Sequence, residues 1–178
     1  MVEIETDRLQ IRPFTLIDLD ALAATWGDPA VMRYIGSGQT RSRSETKASL
    51  ERIIEHQEQD GFSLWAVDHK ADGKLLGFCG LKSLDDTAEI EIGWRLAKAY
   101  WGRGLATEGA KAILEYGFEV LEMNRIVAIA NPANVASRRV MEKIGLQYEK
   151  EARYYNTDCV YYALNRDQWN ASSNGSTC

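Results

Sequence analysis

The chain has 178 residues, 45% of them hydrophobic and 26% charged, which is an ordinary globular balance for one domain with a sizeable core. Its net charge of −5 argues against a ligand held through nucleic-acid phosphates and favours a cationic substrate such as an amine. The longest apolar run, residues 75–81, is far too short to cross a bilayer, and the N-terminus lacks a signal-peptide profile, so no membrane association and a cytoplasmic location are expected.

Residues 8–12 alternate apolar and polar side chains up to Pro13 and predict a first strand. Thr15 then caps a helix whose buried face holds Leu16, Leu19, Leu22 and Ala23, and Asp28-Pro29 turns the chain into a short helical piece at 31–34. After the Gly36-Ser37-Gly38 loop, residues 44–60 predict a helix burying Ala48, Ile53, Ile54 and Gln57. Strands at 62–68 and 74–81 pair antiparallel across Ala71-Asp72-Gly73. Residues 89–96 are a further strand, with Glu89 and Glu91 on one face and Ile90 and Ile92 on the other. A helix from Thr107 repeats Ala110, Ile113, Leu114, Gly117, Phe118 and Leu121 at helical spacing. A β-branched strand at 125–130 leads through Asn131-Pro132 into a helix at 134–144 ended by Gly145. Two strands, 146–152 and 159–164, close the pattern across Tyr154-Tyr155-Asn156. The expected organisation is a single α/β domain over 1–169, with 170–178 a disordered tail.

Three widely spaced cysteines, Cys79, Cys159 and Cys178, with only His56 and His69 for company, indicate neither a disulfide framework nor a metal site. The sequons at Asn170 and Asn174 are chance matches if the protein is cytosolic.

Between the strand at 89–96 and the helix that follows lies Trp101-Gly102-Arg103-Gly104-Leu105-Ala106. Its small residues let backbone approach a ligand, and the helix start at Leu105, Ala106 and Thr107 offers unpaired N–H groups and a positive dipole end. That suits a phosphate or pyrophosphate, with Arg103 adding charge. The alternative reading is a plain connecting turn. Neither the P-loop ending Gly-Lys-Ser/Thr nor a Gly-x-Gly-x-x-Gly dinucleotide fingerprint is present.

Trp101, Gly104 and Ala106 stand where the acyl-CoA loop of GNAT N-acetyltransferases has Gln or Arg, Gly, and Gly or Ala, and the loop resembles that motif. The surrounding EIGWRLAKAYWGRGLATEGA is similar to the RimJ/RimL-type branch, where an aromatic first residue is common. ETDRLQIRPF, GDPAVMRYI and NPANVASRRVMEKIGL extend the resemblance over roughly residues 5–165. It implies a largely antiparallel sheet of six to seven strands with splayed parallel central strands, about four flanking helices, and acetyl-CoA as co-substrate without a metal. The two N-terminal helices would wall the acceptor pocket.

Asn134 is a natural N-cap, and Ser137 and Met141 follow at one-turn steps on the same face, while Val140 and Ile144 point toward the core. By resemblance, Asn131 and Asn134 contact the pantetheine arm, and Ser137 takes the role of protonating the departing thiolate. Many relatives use a Tyr where this chain has Met141, and a thioether donates no proton. Backbone N–H groups at Trp94, Arg95 and Leu96, freed by a bulge in the strand, would hold the thioester carbonyl and pantetheine amides. For the base, Glu91 ranks first, in the family's Glu-Ile-Gly position, and Glu89 second; the competing reading is a solvated strand face. Tyr34 and Tyr155, in loops, are the candidates for acceptor contact. The implied reaction is direct acetyl transfer to a protein or peptide N-terminal α-amine. Alternatives are a small amine such as a polyamine, amino acid or aminoglycoside, or a non-catalytic acyl-CoA-binding module. The oligomeric state, monomer or homodimer, stays open.

Overall fold

One-faced strands and one-faced helices have to bury their apolar sides against each other, and here they do so as two helical layers on a single sheet. The computed structural model describes residues 3–174. Strands β1 (Ile4–Glu5) and β2 (Leu9–Arg12) open the chain. Thr15 and Asp18 form a reciprocal capping box around a 3-10 turn, Leu16–Asp18, that leads into α1 (Leu19–Trp26). Arg12 fixes this entry, donating to the two Asp18 oxygens at 2.9 and 2.8 Å and through Nε to Asp68 at 2.6 Å. After α2 (Pro29–Met32), α3 (Arg43–Asp60) begins at a Ser42/Glu45 capping box and ends at Gly61. Its buried row runs through Thr46, Ser49 and Leu50; the expected Ala48 is exposed, one position off that row.

Strands β3 (Leu64–His69), β4 (Lys74–Ser83) and β5 (Ile90–Leu96) follow, then α4 (Leu105–Glu115), which ends in a π turn over Tyr116–Val120. The remaining elements are β6 (Arg125–Ala130), α5 (Val135–Lys143), β7 (Gln147–Tyr154), β8 (Thr157–Asn165) and α6 (Arg166–Asn174). The sheet order is β1-β2-β3-β4-β5-β6-β8-β7, antiparallel throughout except for β5 beside β6. Eight strands form where six or seven were expected, because the two-residue β1 pairs with β2. Helices α2 and α6 bring the helix number above four. Helix α6 covers the first five residues of the expected disordered tail; 175–178, with Cys178 and the rest of the Asn174 sequon, lie outside the described residues.

The period of two sorts β4 and β5 between two cores. Cys79, Leu81, Ile92 and Leu96 face α4 together with Ile113, Leu114 and Phe118. Phe78 faces α1 and α3, where Leu22, Trp26 and Leu50 pack. At the other end of this second face, Leu84, Val127, Tyr161 and Ala163 form a smaller cluster. No helix among the described residues is long and apolar enough to cross a membrane.

Candidate active site

Chain geometry makes the glycine loop a tight turn that presents backbone rather than side chains. Gly102 and Gly104 both lie in the left-handed region, with φ of 73° and 77°. Gly104 is the N-cap of α4 and offers no side-chain cap, so the N–H groups of the first turn have no partner from it. Nothing stands within 4 Å of where a Gly102 Cβ would be, and at Gly104 the nearest atom is Arg8 Nη2 at 3.6 Å. Arg8 clamps the loop, donating to the Arg103 carbonyl at 2.8 Å and to Glu108 at 2.7 Å, while Thr6 donates to Glu108 at 2.6 Å. Burial raises the Glu108 pKa, but these hydrogen bonds outweigh it and hold the carboxyl below its ordinary value. Arg103 lies over the Tyr100 ring at 5.3 Å. The Trp101 indole N–H donates to the Leu96 carbonyl at 2.7 Å, pinning the loop to the end of β5. Leu105 is buried, and Ala106 and Thr107 are half-buried, so Leu105 faces the loop with backbone rather than side chain.

Next to the loop the central strands part. Strands β5 and β6 share one register pair, Glu91 with Val127. The expected bulge at 93–96 is absent: β4 and β5 stay in continuous register from Gly77–Leu96 to Ser83–Ile90. The edge of β5 is opened by divergence from β6, which frees backbone groups toward the gap without kinking the strand. Trp94 packs against the α4-side core and Leu96 is buried in it. Arg95 points to the opposite face, so its side chain belongs with α1 and α3 and not with the loop.

At the start of α5, Asn131 accepts from the Ala133 N–H at 2.9 Å and Asn134 caps Ser137 N at 3.1 Å. Both amide oxygens are spent on backbone; among the described residues their NH2 groups have no partner. Ser137 is half-buried, and its hydroxyl likewise has no partner among the described residues. Met141 is 1% exposed inside the main core. The face it was expected to share with Asn134 and Ser137 turns inward within one turn, because Val140 and Ile144 draw α5 onto the sheet.

Glu91 is 7% exposed, not on a solvated face. Lys82, its cross-strand neighbour on β4, lies 3.2 Å away. The Tyr155 hydroxyl donates to Glu91 at 3.0 Å and accepts from Lys82 at 2.7 Å and from the Asp85 N–H at 2.8 Å. That uses one proton and two lone pairs, the full capacity of a phenol. Burial pushes the Glu91 pKa up; the Lys82 charge and the Tyr155 hydrogen bond pull down and do not cancel it. Tyr155 and Asn156 form the two-residue β7–β8 turn with φ of 49° and 57°, a left-handed geometry that matches the twist of a hairpin. Tyr155 therefore touches the candidate base, closing over Glu91 from the hairpin tip. Glu89 is drawn elsewhere: Tyr161 donates to it and Arg125 lies 3.7 Å away.

A cleft of about 400 Å³ opens on the face of Glu91, lined by Trp26, Arg41, Ser49, Arg52, Ile53 and His56 from the helical side and by Ser63, Leu64, Phe78, Lys82 and Arg95 from the sheet. Its helical wall is built by α1, α3 and the segment leading into α3. Its charge is the reverse of that expected from the net charge, since the lining holds no carboxylate. Tyr34 is not among the lining residues; it sits under Arg33, 5.1 Å from the ring centroid. Lys82, Arg41 and Trp26 went unassigned from sequence. The Lys82–Glu91 pair becomes visible once strand register is known, whereas Arg41 has no local signal at all.

With this geometry in place, a family model for the acetyltransferase (GNAT) domain matches residues 8–147. The chain is 32% identical over 163 residues to the uncharacterized protein YkkB of Bacillus subtilis (strain 168), covering 90% of this chain and 94% of that one. It is 39% identical over 105 residues to the putative ribosomal N-acetyltransferase YdaF of the same organism, covering 55% and 57%. A GNAT-family acetyltransferase structure from Bacillus anthracis superposes with a TM-score of 0.81 at 30% identity, covering 93% of this chain and 99% of that one.

Proposed function

The chain belongs to the GNAT family of N-acetyltransferases, in its RimJ/RimL-type group, and on that premise we propose that it acetylates the α-amine at a protein or peptide N-terminus directly from acetyl-CoA. The observation that carries the choice of amine is the state of Glu91, buried on the acceptor side and already engaged by Lys82 and Tyr155. A carboxylate so occupied is a modest base. At pH 7 an α-amine with a pKa of about 7.7 to 8.0 lacks only ~1 kcal/mol of deprotonation, against ~4.6 kcal/mol for a lysine amine near 10.4. The N-terminal amine needs the help this site offers, and no more.

Acetyl-CoA supplies the activated acyl group and a thiolate leaving group. The loop at Gly102 and Gly104, with the α4 start and Arg103, fits its pyrophosphate, and the open edge of β5 at Trp94–Leu96 fits the pantetheine amides. The free NH2 groups of Asn131 and Asn134 face the same arm in this reading. The neutral amine attacks the thioester carbon, its surplus proton passes to Glu91 through a water, the C–S bond breaks, and the Ser137 hydroxyl gives a proton to the departing sulfur and regains one from solvent, to which Glu91 releases its own. The similarity to a putative ribosomal N-acetyltransferase supports the choice of a protein N-terminus.

The test is acetyl-CoA consumption against peptides with free N-termini, the same peptides with blocked N-termini but a free lysine, and a panel of small amines. Acetylation of the free N-termini alone is expected. Preferential acetylation of lysine side chains or of polyamines would overturn the choice.

A further inference from the structure

Among the described residues, five arginines, Arg8, Arg12, Arg43, Arg125 and Arg153, are each ion-paired with a carboxylate. The cleft arginines differ. Arg41 donates to Ser49 at 2.7 Å, Arg52 to the Ala48 carbonyl at 3.2 Å, and Arg95 only to the Met32 sulfur at 3.6 Å, a weak acceptor. None of the three has a carboxylate within ion-pair distance among the described residues. Arg41 and Arg95 lie over the Trp26 ring at 4.9 and 5.1 Å, which covers their faces and leaves N–H edges for a ligand. Among the described residues, the two buried side-chain donors without a partner, Arg95 Nε and Trp26 Nε1, both belong to residues that line this cleft.

We propose that the cleft binds a carboxylate belonging to the acceptor itself, so that the preferred substrate is an amine carried by an acidic molecule. That chemistry has two sources, the α-carboxylate of a free amino acid or an acidic side chain among the first residues of a peptide. The inference rests on reading this cleft as the acceptor side. A guanidinium edge fits a carboxylate through two parallel charge-assisted hydrogen bonds, whereas a polyamine or aminoglycoside offers no anion and its positive charge is repelled. Burial, reinforced by Arg41 and opposed by the more distant charge of Glu91, lowers the Arg95 pKa to about 9. It stays protonated at neutral pH, as a cation with no carboxylate in ion-pair contact among the described residues.

Two matched pairs test this. N-acetyl-leucine and N-acetyl-leucinamide, titrated by calorimetry with CoA present, measure the cleft without turnover. Ala-Asp-Leu-amide and Ala-Asn-Leu-amide, alongside leucine and leucinamide, measure kcat/KM. The carboxylate member should win by about tenfold or more, and Arg95→Met should bring each pair to near equality. Arg41→Gln, at a half-buried position, serves as a second variant and should weaken the preference. Discrimination in the leucine pairs assigns the amino acid source; discrimination confined to the peptide pair assigns the acidic N-terminus. Equal binding and equal turnover within every pair of the wild type, or a preference undiminished in both variants, overturns the proposal. The two readings fail separately. Acetylation of N-termini without carboxylate preference removes this inference alone, whereas carboxylate binding without acetylation of any α-amine removes the acceptor assignment and leaves the cleft.

Discussion

At Glu91 two influences compete: burial raises its pKa, the charge of Lys82 and the Tyr155 hydroxyl lower it, and burial prevails. A raised value means that the carboxylate is protonated, and lost as a base, at a pH above the usual glutamate range near ~4.3. The acid limb of the wild-type kcat/KM profile should therefore lie above that range. Glu91→Gln should lose most rate below pH 8 and recover as the acceptor amine deprotonates unaided; a pH-independent defect would return Glu91 to a structural part. At Ser137 the expectation is a kcat reduced by ~10 to 100-fold in Ser137→Ala, with acetyl-CoA affinity nearly unchanged because the transition state alone uses that proton. An unchanged kcat, measured where chemistry limits turnover, would leave Ser137 a helix-start residue. Met141→Tyr is not a useful rescue, since a larger ring would overpack a core position that is 1% exposed. How far these residues were legible depended on distance along the chain. Asn134 as N-cap and Glu91 on its strand face follow from local pattern, but the Glu91–Tyr155 contact spans 64 positions. Arg95 was correctly placed on a strand; which helices meet its face is a tertiary fact. Tyr34 is close to the pocket in sequence and absent from its lining.

In the proposed function, donor binding depends on the glycine loop and α4. Gly104→Val should weaken acetyl-CoA by at least tenfold: the left-handed φ of 77° disfavours a β-branched residue, and its side chain would stand where backbone must meet the pyrophosphate. Calorimetry on a variant with wild-type circular dichroism checks this, and unchanged affinity would sink the phosphate-loop assignment. The entry to α1 allows a stability prediction. Burial raises the Asp18 pKa, but the Arg12 fork and the Thr15 hydrogen bonds outweigh it, and the carboxyl ends below its ordinary value. A depressed carboxylate stabilises the fold above its unfolded pKa near ~3.9, and that contribution is lost as pH falls through the lower folded value. Asp18→Asn should cost about 1.5 to 3 kcal/mol near pH 7 by chemical denaturation, with the difference from wild type shrinking in strong acid. The seven longer strands and the four principal helices were legible because each has a one-sided pattern. Strand β1, too short to have a pattern, and α6, whose Asn and Ser content resembles a loop, were not. The open edge of β5 was anticipated for the wrong reason, since divergence between two strands leaves no mark on either one.

Across the whole molecule, net charge proved a poor guide to local charge. A chain with a net charge of −5 gathers in one cleft three arginines that have no carboxylate partner among the described residues, because a total says nothing about position. The sheet order has a different kind of consequence. Strand β8 lies between β6 and β7 although it is made after both, and it carries Val160, Tyr162 and Leu164 into the main core. A chain still emerging from the ribosome thus holds β6 with one bare edge and β7 with no partner until residues 157–165 are clear of the exit tunnel. Until then the main core lacks the side chains that β8 supplies, and unpaired edges are what neighbouring nascent chains join. The interval before β8 is in place is when this protein is most exposed to aggregation.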